Sequence, residues 1–309
     1  MSEVLWDAIQ STAKALIRHE QLPDDFIQTV SEYFYPLALR LRDLQIAKDH
    51  PIIVGINGAQ GTGKSTLALF LETLLNQHLD CPCARFSLDD IYLTRAERER
   101  KAKEVHPLLL TRGVPGTHDV ELGNRVLDEL LKSGADDVVA IPAFDKSQDD
   151  RAPMAEWPLH RGQVKIILLE GWCVAALPEA DPLRLEAPIN QLEAIEDQGG
   201  QWRRYVNEHL AGEYQQLFGR LEYLVMLKAP SMECILEWRT LQEQKLAERI
   251  AAHQNGACGA RVMTPEQIKR FIMHYERLTR EMLEEMPQRA NTLFVIDEQH
   301  QITGVQHHD

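Results

Sequence analysis

The stretch Ile52–Thr66, IIVGINGAQGTGKST, restricts the possible folds of this chain more than any other. A short apolar run (Ile52, Ile53, Val54, Ile56) flows into Gly58-x4-Gly63-Lys64-Ser65 and then into a helical pattern, LALFLETLL. Strand, glycine-rich turn and helix in that order form the context that a phosphate-binding loop requires. The glycines let consecutive N–H groups curl inward, and the helix start adds positive potential. Gly58, Ala59, Gln60, Gly61, Thr62, Gly63, Lys64, Ser65 and Thr66 are therefore the expected cradle for a nucleoside triphosphate. Lys64 is expected to reach the β/γ-phosphates and the Ser65 hydroxyl to ligate Mg²⁺.

That motif implies an α/β fold, a P-loop NTPase-type parallel sheet flanked by helices. The helix over 64–78 should cross over, right-handed, to a strand at Ala84–Leu88 that ends in Asp89-Asp90-Ile91-Tyr92. Carboxylates at the carboxyl end of a neighbouring strand lie on the ligand-binding edge, where one of the pair can accept a proton from an attacking hydroxyl. The same pair also suits a helix cap. The apolar run Val164–Leu169 reads as a buried parallel strand ending in Glu170, placed to organise the water shell of Mg²⁺.

Residues 106–119 (HPLLLTRGVPGTHD) concentrate glycine, proline, Arg112 and two histidines, which fits either a surface loop or a substrate loop. The run Arg95–Glu104 reads as a solvated helix face. In Trp238–Arg249, Arg239, Lys245 and Arg249 fit a lid helix that brings an arginine over the transferring phosphoryl group; a solvated face fits equally. Residues 1–50 read as a helical extension, with Pro36 breaking or restarting its second helix, on a kinase-type domain spanning 51–309 with a lid at about 231–262. Residues 182–200 read as loop, 202–220 as one helix, His253–Arg261 as a mobile loop, and 300–309 as a ragged tail. Thr264-Pro265-Glu266-Gln267 is a helix start with a capping box.

Composition narrows the function classes. A net charge of −14 argues against a nucleic-acid groove, which needs clustered Lys and Arg. Five cysteines without a CxxC pair suggest reduced thiols. Without a basic-then-apolar leader or an apolar run near the roughly 20 residues of a membrane span, a cytoplasmic protein is expected, with no membrane partner.

The phosphate loop, Asp89-Asp90-Ile91-Tyr92, Pro142…Asp145…Arg151 and Glu170-Gly171 together resemble the phosphoribulokinase/uridine kinase/pantothenate kinase group. The Asp-x-Phe-Tyr of uridine kinases, whose Asp is the catalytic base, maps onto Asp89. Their Pro-x-Tyr-Asp-x5-Arg is matched by Pro142, Phe144, Asp145 and Arg151, while their His two residues before the Arg is Asp149 here, a departure from nucleoside recognition. The runs SLDDIYLT, HPLLLTRGVPGTHD, IPAFDKS, LLEGWC, APINQLE and WRTLQEQKL, over about residues 25–297, are similar to plant-type D-glycerate 3-kinase and its uncharacterised fungal and bacterial relatives. The resemblance implies phosphoryl transfer from ATP to a small hydroxy acid such as D-glycerate. It makes Arg112, His118 and Lys146 candidates for the substrate carboxylate and hydroxyls, alongside Asp90, Tyr92, Asp119, Asp145 and Arg151. A kinase for a nucleoside, pantothenate or a sugar phosphate, and a nucleotide-dependent switch, are the alternatives; the chain has no Asn-Lys-x-Asp and no Leu-Ser-Gly-Gly motif.

Overall fold

Strand Ile52–Gly58 is buried along its whole length because it lies inside a sheet, paired in parallel with Ile166–Gly171 on one side and Tyr223–Lys228 on the other. The computed structural model describes residues 3–252 and 263–308. Cys83–Ser87 extends the sheet beyond Ile166–Gly171, and Thr292–Ile296 extends it beyond Tyr223–Lys228, both in parallel. The order is 302–307, 292–296, 223–228, 52–58, 166–171, 83–87. The phosphate-loop strand thus has Glu170 on its neighbour and Asp89 one strand further out, all leaving the same sheet edge, where open α/β sheets bind ligands.

Apolar parallel strands need cover on both faces. One face packs against Leu67, Phe70 and Leu71 of helix Lys64–His78 and against Ile9, Ile17, Phe34 and Leu41 of the N-terminal helices. The other packs against Val126 and Leu127 of helix Val120–Lys132 and Tyr275 and Met282 of helix Pro265–Glu285. The N-terminal helices therefore share a core with the phosphate-loop helix.

Several sequence expectations change in the structure. Pro36 restarts its helix and does not end it: the segment Val30–Phe34 widens into a π turn, with the Tyr35 N–H bonded to the Val30 carbonyl, and Tyr35–Lys48 follows with Pro36 in its first turn. The wider turn absorbs the donor that proline lacks. Residues 182–200 hold a short helix, Gln191–Glu196, capped by Asn190, whose side chain accepts from the Glu193 N–H. The helix expected over 202–220 is interrupted by a π turn at Leu210–Tyr214 and kinked at Gly212. The expected ragged tail is strand Ile302–His307, antiparallel to Thr292–Ile296 at the sheet edge. Its pattern was illegible because an edge strand with one weakly covered face carries little apolar alternation. Residues 106–119 are not a surface loop, since Leu109, Val114, Thr117 and His118 are buried.

The expected lid is helix Met232–Ala252; the Arg249 side chain and the loop expected at His253–Arg261 lie outside the described residues. Cys81, Cys83, Cys173 and Cys234 are free and buried. Among the described residues no helix is long and apolar enough to cross a membrane.

Candidate functional site

The phosphate loop is shaped by contacts that leave no room for side chains at two glycines. A Cβ on Gly58 would sit 2.4 Å from the Thr62 Oγ1, and one on Gly61, at φ +84°, would sit 2.9 Å from the Trp238 Cβ of helix Met232–Ala252. Thr62 Oγ1 donates to the Ala59 carbonyl at 2.9 Å, closing the turn. Gly63, at φ +88°, is the residue before the first turn of helix Lys64–His78, so the N–H groups of Lys64, Ser65 and Thr66 face the ligand edge unpaired by the helix.

Beside this loop, Ser65 Oγ donates to Glu170 Oε1 at 2.9 Å. Glu170 is buried, and its other oxygen, Oε2, has no hydrogen-bond partner. A buried carboxylate oxygen without a donor calls for a cation or an ordered water. A hydroxyl and such an oxygen side by side fit Mg²⁺, which takes few protein ligands and keeps several waters. Among the described residues no group of three or more His, Cys, Asp or Glu could hold a metal by itself.

A pocket of about 340 Å³ opens over the loop. Gln60, Gly61, Lys64 and Ser65 form its donor side, and Asp89, Arg112 and Lys146 its opposite side. Tyr92, Trp172, Phe271 and Tyr275 supply aromatic wall, and Arg239 and Gln242 reach in from helix Met232–Ala252. Asp89 leaves strand Cys83–Ser87 in a 3-10 turn whose start is capped by Ser87, its hydroxyl accepting from the Asp89 N–H. Tyr92 OH donates to Asp89 Oδ1 at 2.7 Å and Lys146 Nζ to Oδ2 at 2.8 Å.

The two adjacent carboxyls titrate in opposite directions. Burial works to raise Asp89, but the charges of Lys146 and Lys64 and the bonds from Lys146 and Tyr92 outweigh it and hold Asp89 well below the usual carboxylate range. Burial, together with the negative charge of Asp89, pushes Asp90 up to about 6. Asp89 in turn holds Lys146 above its ordinary value, so this lysine stays charged.

Of the remaining sequence candidates Arg239 lines the pocket, and Asp90, His118, Asp119, Asp145 and Arg151 lie around it. Asp90 faces the backbone N–H of Phe144. His118 is buried behind Tyr92, stacked on it with ring centroids 4.8 Å apart, and its Nδ1 lies 2.6 Å from the Tyr214 hydroxyl. Burial lowers its pKa to about 3, so it is neutral. Asp119 caps helix Val120–Lys132 through the Leu122 N–H and pairs with Arg151 at 3.2 Å, while Arg151 also donates to the Tyr92 carbonyl. Asp145 accepts from the Ser147 and Gln148 N–H groups and closes a turn. Arg239 is tied to Glu243 at 2.8 Å and lies over the Phe271 ring.

Trp172, Phe271 and Tyr275 were missing from the sequence reading. Trp172 follows Glu170-Gly171 directly, and Phe271 and Tyr275 stand at i,i+4 on helix Pro265–Glu285, a spacing that reads as ordinary core. Both Trp172 and Tyr275 clamp the loop opposite: Tyr275 OH donates to the Arg112 carbonyl at 2.7 Å and Trp172 Nε1 to the Gly113 carbonyl at 2.8 Å. Gly113, at φ +125°, would place a Cβ 2.2 Å from the Tyr275 hydroxyl, so this close approach requires glycine.

No family model matches the chain. It is 36% identical over 233 residues to the "Uncharacterized kinase mug58" of Schizosaccharomyces pombe, covering 73% of this chain and 78% of that one. It is 29% identical to the chloroplastic D-glycerate 3-kinase of Arabidopsis thaliana, covering 73% of this chain and 46% of the plant protein. Among solved structures, D-glycerate 3-kinase from Cryptococcus neoformans superposes with a TM-score of 0.69 over 89% of this chain and 99% of that one; at 23% identity the likeness shows the fold. With a mostly parallel sheet, a phosphate loop on its central strand and this degree of identity to a kinase over most of its length, the chain belongs to the P-loop kinases, the group of phosphotransferases that holds D-glycerate 3-kinase and pantothenate kinase.

Proposed function

We propose that this enzyme transfers the γ-phosphoryl group of ATP to a hydroxyl of a small hydroxy acid, with D-glycerate as the first acceptor to consider. The observation that carries the reading is the convergence of Lys64, Asp89, Lys146 and Arg112 on one pocket. A phosphate-loop lysine explains one cation; two further cations across the pocket suit an acceptor that is itself an anion. A planar guanidinium matches a carboxylate in two-point geometry, and a lysine adds a mobile point charge.

In this reading residues 58–66 cradle the phosphates, and Lys64 offsets charge on the γ-phosphate. Ser65 and Glu170 would hold Mg²⁺, which when bound would supply charge neutralisation on the phosphate oxygens. Asp89 orients the acceptor hydroxyl. Its two oxygens offer about four lone-pair sites, and Tyr92 and Lys146 take two of them, so acceptance of a hydroxyl remains open. A carboxylate held so acidic is a weak base, adequate because a loose phosphoryl-transfer transition state asks for orientation first and takes the proton late. Arg239 offsets charge on the phosphoryl oxygens from the lid at about 231–262, and residues 1–50 act as a helical extension of the domain at 51–309. Tyr92 forms part of the acceptor wall, and Asp90, His118, Asp119, Asp145 and Arg151 shape that side from behind.

An ADP-release screen tests the reading with D-glycerate first, then other hydroxy acids, nucleosides, pantothenate and sugar phosphates. D-glycerate should give the highest kcat/KM. A nucleoside or pantothenate ahead of every acid would overturn the acceptor assignment, and slow ATP hydrolysis that no acceptor accelerates would favour a switch.

A further inference from the structure

The charged run Arg95–Glu104 conceals one residue that is not solvated. Arg98 is 1% exposed, and its guanidinium donates to the carbonyls of Leu93 (3.2 Å), Leu110 (2.7 Å) and Asp149 (2.6 Å). Its Nη2 also lies 3.1 Å from Asp149 Oδ2. A buried cation is tolerated only when its donors are matched, and here one residue, Asp149, supplies both a carbonyl and a carboxylate. Asp149 adopts φ +54°, a left-handed conformation that aspartate visits more readily than most residues. The other carboxylate oxygen, Oδ1, pairs with Arg112 Nη1.

One carboxylate therefore bridges two guanidinium groups, the first locked in the interior and the second on the pocket. We infer that Asp149, itself fixed by Arg98, is a positioning residue that aims the Arg112 guanidinium at the carboxylate of an anionic acceptor; this rests on the hydroxy-acid reading above. Arg112 is constrained on its other sides as well. Its guanidinium carbon lies 5.2 Å from the Phe144 ring centroid and 5.9 Å from that of Tyr92, and Tyr275 holds its carbonyl. Among the described residues Asp149 is the hydrogen-bond partner of that guanidinium, and it takes Nη1. A guanidinium has five N–H donors, so enough remain for an incoming carboxylate. Asp149 does not cancel the attraction, because it is shared: Arg98, Asp149 and Arg112 together keep a formal charge of one positive unit. The ordering of a long side chain is completed in folding, which leaves less to be ordered on binding.

Steady-state kinetics of Asp149→Ala tests this. The KM for D-glycerate should rise about tenfold, in line with loss of a charge-assisted contact to the arginine, while kcat changes by less than about threefold and the KM for ATP stays put. Combining Asp149→Ala with Arg112→Ala should be no worse than Arg112→Ala alone, because Asp149 acts through that arginine. Should the alanine variant fold poorly, Asp149→Asn keeps a carbonyl oxygen for Arg98 and should show the same split to a smaller degree. An unchanged or lower KM for D-glycerate, an equal rise in the KM for ATP, or multiplicative losses in the double variant would each overturn the inference. If the wild-type chain turns over D-glycerate and these variants behave like it, the role of Asp149 falls alone; if the wild-type chain is inert to D-glycerate, the acceptor assignment falls and takes the inference with it.

Discussion

The donor side of the pocket comes from one contiguous stretch, Ile52–Thr66, whereas the acceptor side is gathered from residues 89–92, 112–118, 144–151, 172 and 271–275. The donor side works mainly through backbone, its N–H groups aimed by glycine conformations and a helix start. The acceptor side works through side chains whose aim depends on partners far away in sequence. A local backbone device tolerates change around it, while a gathered one is only as good as its ties.

The bluntest way to break the comparison is Lys64→Ala. Losing the one side chain that the donor side commits to the phosphates should cost on the order of 10³-fold in kcat/KM for ATP, read in a coupled ADP assay; an unchanged rate would end the kinase reading of this pocket. Asp89→Asn probes the other side. It should lower kcat by on the order of 10²-fold with ATP affinity, measured by titration, left intact. Full activity in that variant would move the acceptor hydroxyl to a different group.

Tyr275→Phe is gentler, removing the hydroxyl that holds the Arg112 carbonyl and nothing on the donor side. A lost buried hydrogen bond is worth about 1 kcal/mol, so the acceptor KM should rise about fivefold while the KM for ATP holds. Equal effects on both substrates would erase the distinction between the two sides.

A separate effect is on stability and concerns Asp90. Its folded pKa is raised from 3.8 to about 6, so the folded chain holds that proton more tightly than the unfolded chain. The resulting stabilisation is present in full below about pH 4 and is lost as pH rises to about 6. Asp90→Asn should therefore melt progressively higher than wild type between those limits and keep a constant lead above them. Asp89, with its pKa lowered, has the opposite sign: its contribution is present above the ordinary aspartate pKa and is lost as the pH falls below it.

What the sequence made legible follows the same division. The strand, glycines and helix of the phosphate loop were readable because each is specified within a few residues, and so was the Thr264–Gln267 capping box, which forms with both reciprocal bonds. Asp89 and Glu170 were readable as acidic ends of apolar strands. Pro36 was legible as a break or a restart, and the local rule could not choose between them or foresee the π turn beside Phe34 and Leu37 in the core. Arg98 misled more deeply. In a helix of sequence RAERERKAKE no pattern separates the one buried arginine from its solvated neighbours, and only the placement of Leu110 and Asp149 does so. Trp172 and Tyr275 were hidden for a related reason: a wall of a pocket and a wall of a core use the same residue types.

The bridge at Arg98 also bears on the order in which the molecule comes apart. Its three carbonyl partners stand 5, 12 and 51 residues away along the chain, so it closes only after those segments have met. The phosphate loop, by contrast, sits on the central strand of the sheet. Segments held by a few side-chain ties outside the sheet open at lower free energy than the hydrogen-bonded strands of a sheet core. Under mild denaturant the chain should therefore stop phosphorylating before it stops binding ATP, with the amides of residues 106–119 exchanging faster than those of Ile52–Gly58.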